Sequence, residues 1–343
     1  MACRGKCRYV LSMPFARILH GGNLEAAEKR FGRPQTGWLD LSTGINPHAY
    51  PMPSLEPSVW RRLPGSDAGL RAAAADCYGV ADPKLVVPAN GAQSLIQLLP
   101  GLRRNVRVAV LSPTYEEHAA CWRDGGHRVL EAATLEEAQD ADIVVLVNPN
   151  NPDGRLQEPA RLIALSERLA GRGGFLVVDE SFADPEPTRS VAKEAGRPGL
   201  IVLRSFGKFF GLAGLRLGFA LAETGTAASL RRQLGSWAVS GPAQAIGESA
   251  LLDEAWIGAM RQTLKENAKR LDLLLAGFAF KPVGGTPLFR LVESERAEDA
   301  YERLGRRGIL VRAFAKHPCW LRFGLPGKEA EWQRLEAALQ SLL

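Results

Sequence analysis

No apolar run in this chain approaches the ~20 residues that a membrane-crossing helix needs. The opening stretch, MACRGKCRYVLSMPFARIL, is basic, but its apolar core is too short for a secretory leader, so no membrane association and a cytoplasmic location are expected. Cysteine is scarce: Cys3, Cys7, Cys77, Cys121 and Cys319 are odd in number and mostly scattered, which points to reduced thiols rather than a disulfide framework. Cys3 and Cys7 have no second Cys or His pair close in sequence, and no metal site is expected. There is no G-x-G-x-x-G opening a helix after the first strand, which excludes a nicotinamide cradle of that type. There is no internal repeat and no low-complexity linker. The formal net charge of +6 is spread among interleaved acidic and basic residues with no aromatic–basic array, so nucleic acid is not the expected partner. A small anionic substrate fits that balance better.

What is present is a chain of 343 residues, 46% hydrophobic and 23% charged, long enough for one large core and a smaller lobe. KLVVP (84–88), VRVAVLS (106–112), DIVVLVN (142–148), FLVVDE (175–180) and LIVLRS (200–205) are continuous runs rich in β-branched residues, the pattern of strands buried on both faces. Helical stretches such as AQSLIQLLPGL and EPARLIALSERLAG lie between them, which gives the βαβ rhythm of a mostly parallel sheet. After about residue 222 the rhythm changes to a long helical region, roughly 223–276. FAFKPV, LFRLV, GILVRAF and WLRFGL follow as shorter strands with helical ERAEDAYERLGRRG and KEAEWQRLEAALQSLL. The expected organisation is an N-terminal arm at 1–45, a large α/β domain at 46–236 and a small α+β domain at 237–343.

Polar residues cluster where the buried runs end. Asn148, Asn150 and Asn151 follow one strand, Asp179 and Glu180 end another, and Ser205 with Lys208 follows a third. In open α/β sheets the ligand lies outside the carboxyl ends of the strands, so these groups are expected to converge on one crevice.

NGAQ (90–93), PTY (113–115), NPNNPDG (148–154), VVDES (177–181) and SFGKFFGLAGLRLG (205–218), in this order and spacing, resemble the fold-type I pyridoxal-phosphate enzymes of the aspartate aminotransferase superfamily. The resemblance covers most of the chain. It implies a mostly parallel seven-stranded sheet flanked by helices, a smaller C-terminal α+β domain, pyridoxal 5'-phosphate as cofactor and a homodimer. It implies Lys208 as the Schiff-base lysine; its apolar neighbours Phe206, Phe209, Phe210 and Leu212 would lower its pKa by desolvation. Asp179 is implied to face the pyridine nitrogen and keep it protonated, Tyr115 to stack on the ring, and Asn151 to donate to the ring's phenolic oxygen. Ser205, Arg216 and the helix start at Gly91, Ala92 and Gln93 are implied to bind the cofactor phosphate. Two departures stand out: Phe182 replaces a tyrosine that many relatives carry three residues after the aspartate, and Asp153 replaces a threonine in what reads as a turn variation.

Arg322, in WLRFGLP, resembles the superfamily arginine that binds the substrate α-carboxylate. HGGNLEAA (20–27) and LDLSTGINP (39–47) resemble the amino-terminal elements of the threonine-phosphate decarboxylases of cobalamin biosynthesis. That resemblance implies decarboxylation of L-threonine O-3-phosphate to (R)-1-aminopropan-2-yl phosphate. His20, Gly21, Gly22 and Asn46 are then expected at the substrate phosphate, although His20 also reads as a capping or packing residue. A phosphate-substrate aminotransferase, such as one acting on histidinol phosphate, stays open as an alternative, as does a non-catalytic protein of this fold.

Overall fold

The computed structural model describes residues 20–278 and 280–342. The basic residues Arg4, Lys6, Arg8 and Arg17, and the Cys3/Cys7 pair, lie outside the described residues. The five buried runs form five of the seven strands of the larger sheet, whose order runs Val86–Ala89, Gly218–Ala222, Leu200–Ser205, Phe175–Asp179, Ile143–Val147, Arg107–Leu111, Arg128–Ala132. All pairings are parallel except the two made by Gly218–Ala222, which is antiparallel to both its neighbours. Arg128–Ala132 escapes the apolar signal because it is an edge strand with mostly exposed or half-buried residues.

Alternation along each strand divides the core into two. Val144, Leu146, Leu176 and Val178 point into the cluster on one face of the sheet, while Ile143, Val145, Phe175 and Val177 point into the cluster on the other. Both faces are therefore dry, which is why the strands read as unbroken apolar runs. One edge of this sheet collects the chemistry. The parallel strands end there at Ala89, Leu111, Val147, Asp179 and Ser205, and the reversed strand Gly218–Ala222 begins there.

The smaller sheet is antiparallel, in the order Arg312–Phe314, His317–Gly324, Phe289–Glu293, Lys281–Thr286. Arg322 sits on an inner strand, opposite Leu291 on one side and Arg312 on the other. The segment ahead of the large sheet is stitched to this lobe: Leu39–Asp40 pairs in parallel with Ile309–Leu310, and the Gly324 amide donates to Leu41 O at 2.7 Å. The lobes also meet at backbone level. A Cβ on Gly154 would stand 2.0 Å from Gly285 O, and one on Gly284 would stand 2.0 Å from Asp153 O, so only glycines allow the loop after Asn151 to close on the small sheet. Among the described residues no helix is long and apolar enough to cross a membrane.

Behind the site edge, Arg204 is completely buried and bridges Glu180 at 2.7 Å and Asp184 at 2.5 Å, with its guanidinium 4.3 Å from the Tyr78 ring centroid. Glu180 is further held by the Val191 amide at 2.7 Å and by the Ser190 hydroxyl. This cluster fixes the turn that follows Asp179. Arg204→Met would leave two buried carboxylates without their cation and is expected to cost about 3–5 kcal/mol. Urea denaturation at pH 7 measures the loss, and the deficit should shrink as pH falls because the orphaned carboxylates can then take up protons; a loss below 1 kcal/mol would show that the cluster is not a fold anchor.

Candidate active site

The strand ends open onto a cavity of about 950 Å³ between the two sheets. Lys208 is at its floor, on the short helix Phe206–Phe209 that follows Leu200–Ser205. Three hydrogen bonds from the Asn46–Tyr50 segment clamp that helix. The Asn46 amide donates to Lys208 O at 2.9 Å, the Asn46 side chain to Phe209 O at 2.8 Å, and the Tyr50 amide to Phe210 O at 2.8 Å. Burial, reinforced by the positive charge of Arg322, lowers the Lys208 pKa to about 8; Asp179 opposes this and Arg216 adds to it. The amine is thus free at a pH where an ordinary lysine is charged.

Asp179 is buried, and burial by itself would raise its pKa. The hydrogen bond from His118 Nε2 to Oδ2 at 2.9 Å outweighs burial, together with the Ser181 amide and hydroxyl on Oδ1 at 2.9 and 2.5 Å. The net direction is downward, so a stable carboxylate faces the cavity. Sequence reasoning missed His118. The only signal was its place three residues after Tyr115, and a histidine on the buried side of helix Glu117–Asp124 reads as packing until its partner is located.

Tyr115 lines the cleft and donates to Gln93 Oε1 at 3.0 Å. Ser205, Ala92, Gln93 and Arg216 line the same end, with Gly91 directly behind. Gly91 has φ +81°, and a Cβ there would stand 2.6 Å from Arg216 Nη2. That position admits only glycine, and the start of helix Ala92–Leu98 lies bare beside a guanidinium.

Arg322 is buried with its Nη2 donating to Ser42 O at 2.8 Å, its Nη1 to Asn151 Oδ1, and its guanidinium 4.9 Å from the Phe289 ring centroid. Its Nε has no partner, and among the described residues no carboxylate forms an ion pair with it. A buried guanidinium without a counter-charge is costly, and its position on the cleft wall makes an incoming anion the natural remedy. Asn151 is coupled to it: with Oδ1 taken by Arg322, Nδ2 remains to donate. Asp153 holds that loop by accepting from Asn150 Nδ2 at 2.7 Å and the Arg155 amide at 3.0 Å, as a turn residue does.

The amino-terminal candidates divide. His20 and Gly21 line the cleft, with His20 Nε2 2.9 Å from Glu117 Oε1. Gly22 lies behind them, and its amide is already donated to Ser42 Oγ at 2.7 Å. Asn23 caps helix Leu24–Phe31 through Ala26 N. Asn46 does not line the cleft; it is buried, its Nδ2 spent on Phe209 O and its Oδ1 accepting from the His48 amide at 2.9 Å. Phe182 lies within the cleft, with Lys208 Nζ 5.6 Å from its ring centroid, and meets Phe289 edge-on at 5.0 Å.

An amine of lowered pKa, a stabilised carboxylate, a stacking aromatic and an anion cradle of Ser205, Arg216 and the bare helix start fit pyridoxal phosphate. They define the fold and site of a pyridoxal-phosphate enzyme of fold type I. The family model for aminotransferase class I and II matches residues 57–339, and the chain belongs to that family. Within it, the chain is 49% identical to a threonine-phosphate decarboxylase of Pseudomonas aeruginosa, over 93% of this chain and 96% of the relative. It is 45% identical to one from a Sinorhizobium species, over 94% and 98%. Among solved structures it superposes on histidinol-phosphate aminotransferase from Sinorhizobium meliloti in complex with pyridoxal-5'-phosphate, with a TM-score of 0.78 at 21% identity over 93% and 95% of the chains. It also superposes on L-threonine-O-3-phosphate decarboxylase from Porphyromonas gingivalis, with a TM-score of 0.72 at 21% identity over 88% and 98%.

The lowered Lys208 pKa has a direct test. In cofactor-free protein, acylation of Lys208 followed by mass spectrometry should be half-maximal near pH 8, against about 10.4 for an ordinary lysine. Arg322→Gln should move that midpoint up and Asp179→Asn should move it down; a wild-type midpoint above 10 would contradict the electrostatics of the cleft.

Proposed function

We propose that this protein decarboxylates L-threonine O-3-phosphate to 1-aminopropan-2-yl phosphate, with pyridoxal phosphate held in the cleft. The observation that carries the reading is the buried Arg322, without an ion-paired carboxylate, facing the cavity that contains Lys208, whose pKa is lowered to about 8. The near relatives named as threonine-phosphate decarboxylases support it, at 45–49% identity over almost the whole chain.

When bound, pyridoxal phosphate supplies an aldehyde for an amine and a ring able to accept the electron pair left when a bond to the α-carbon breaks. The rest falls to the chain. Lys208, its pKa lowered to about 8, would hold the aldehyde through its amine, and its Nζ could hold or move a proton at the substrate α-carbon. Asp179, fixed by His118 and Ser181, would stabilise a proton on the ring nitrogen. Ser205, Arg216 and the Gly91–Gln93 backbone would hold the cofactor phosphate, with Tyr115 as the aromatic beside the ring and Asn151 Nδ2 as a donor to the cofactor. Arg322 receives the substrate carboxylate, which leaves as CO₂ while the α-carbon gains one proton. The cavity has the charge such a substrate needs: Arg123, Lys208, Arg216, Arg312, Lys316 and Arg322 line it against Glu116, Glu131 and Asp179. His20 and Gly21 at its mouth, with Arg312 on the small sheet, are the groups we assign to the substrate phosphate.

A homodimer belongs to the same proposal. Met52, Trp60, Leu63 and Trp237 are 69, 66, 68 and 61% exposed. They belong to neighbouring segments, since helix Pro57–Arg61 packs on helix Gly241–Leu251 and Trp237 lies just ahead of the latter. Sedimentation should give a dimer for the wild type and a monomer for the Trp60→Glu, Leu63→Glu double variant; a monomeric wild type would reject it.

The activity is tested with loaded protein and L-threonine O-3-phosphate, no oxo acid present. Sustained CO₂ release is expected, none with Lys208→Ala, and a KM raised about tenfold or more with Arg322→Gln, as loss of a charge-assisted hydrogen bond predicts. If no CO₂ appears and histidinol phosphate instead gives up its amino group in a reaction that stalls until a 2-oxo acid is added, the protein is an aminotransferase.

A further inference from the structure

One carboxylate next to the cleft has no part in the chemistry described above. Glu117 opens helix Glu117–Asp124, between the ring-facing Tyr115 and the Asp179 partner His118, yet it does not line the cavity. Its two oxygens serve different sides. Oε1 lies 2.9 Å from His20 Nε2, at the substrate mouth. Oε2 accepts from Gln93 Nε2 at 3.1 Å, and Gln93 Oε1 in turn accepts the Tyr115 hydroxyl at 3.0 Å. The His20 ring also lies against Tyr115, with centroids 5.7 Å apart. A carboxylate only accepts, so each neighbour's orientation follows from it: the Gln93 amide points its NH₂ to Glu117 and its carbonyl to Tyr115, and His20 carries its proton on Nε2.

We infer that Glu117 is a positioning residue that joins the substrate side of the cleft to the cofactor side. By holding His20 Nε2–H it presents Nδ1 as the ring nitrogen left for the substrate phosphate, and it balances the positive charge of the ring when Nδ1 also carries a proton toward a phosphate oxygen. By orienting Gln93 it fixes the Tyr115 hydroxyl. The amino-terminal segment is thereby tied to the helix start that cradles the cofactor, and the two sites share one anchor. This rests on the reading of the cleft as a phosphorylated amino-acid site.

The test uses the loaded enzyme and two variants, Glu117→Gln, which keeps the shape and removes the charge, and Glu117→Ala. Inorganic phosphate serves as probe in calorimetry, L-threonine O-3-phosphate in kinetics, and ¹⁵N-labelled histidine reports the His20 tautomer by NMR. Both variants should weaken phosphate binding and raise KM by about tenfold, the scale of one hydrogen bond to a charged group, while kcat stays within about twofold. The wild-type His20 should carry its proton on Nε2, and the variants should give a mixture. Combining Glu117→Ala with His20→Ala should add nothing to phosphate affinity beyond His20→Ala alone. An unchanged His20 tautomer in both variants, or additive losses in the double variant, would overturn the relay. The two readings fail separately. If the wild type releases no CO₂ but its His20 tautomer and phosphate affinity depend on Glu117, the relay stands and the decarboxylase falls; if CO₂ release persists with unchanged KM in both variants, the reverse holds.

Discussion

The site turns on lowering the pKa of one amine among charges. A buried lysine releases its proton readily only where desolvation and like charges outweigh nearby anions. Here Asp179 must remain ionised in the same cavity, and its attraction for a proton on Lys208 works against a free amine. The fold reconciles the two by giving Asp179 its own donors: His118 on one oxygen and the Ser181 amide and hydroxyl on the other. Arg322 and Arg216 then tilt the balance at Lys208. Much of the surrounding architecture serves this arrangement. Strand Phe175–Asp179 places Asp179, the Arg204 cluster anchors the turn after it, and helix Glu117–Asp124 delivers His118.

Backbone stitching fixes the other side. The Asn46–Tyr50 segment grips the Lys208 helix through three hydrogen bonds, and Tyr50 also reaches Asp253 Oδ2 at 3.2 Å, at the cap of the long helix Glu254–Ala276. His48 bonds Asn267 Nδ2 at 3.1 Å on the same helix. The position of the amine therefore depends on contacts with the second lobe, as Arg322 depends on Ser42 from the segment between them. The cleft is not a property of the large sheet alone.

The sequence made much of this legible, for physical reasons that also set its limits. Five of the seven strands, dry on both faces, could be read directly, whereas Arg128–Ala132 at the sheet edge and the buried Gly218–Ala222, merged with the glycine-rich motif before it, were not. Lys208, Asp179, Tyr115, Asn151, Ser205 and Arg216 each follow or end a buried strand or sit in a glycine-rich turn, and all reach the cavity. Asn46 read as a substrate ligand because a polar residue beside Pro47 looks available; only the folded chain shows its amide committed to Phe209 O and His48 N. Gly22 likewise has its amide taken by Ser42. His118 and Glu117 carry no local signature. Their significance lies in partners 24 to 97 residues away, as with His118 and Asp179, Glu117 and Gln93, or Glu117 and His20.

Phe182 shows what the change from a phenol does to the remaining contacts. Its ring offers no hydrogen bond to the cleft and packs edge-on against Phe289, so that two aromatic faces stand beside the two cations, Lys208 over one and Arg322 over the other. An apolar wall of this kind excludes water, which adds to the desolvation that chiefly lowers the Lys208 pKa and leaves the secondary repulsion from Arg322 less screened. With no hydroxyl at residue 182, Asn151 Nδ2 is left as a side-chain donor, its direction set because Arg322 holds Oδ1. The guanidinium on the cleft wall is thus the same group that orients the Asn151 amide. Any change in how Arg322 is engaged is therefore felt directly at the Asn151 side chain.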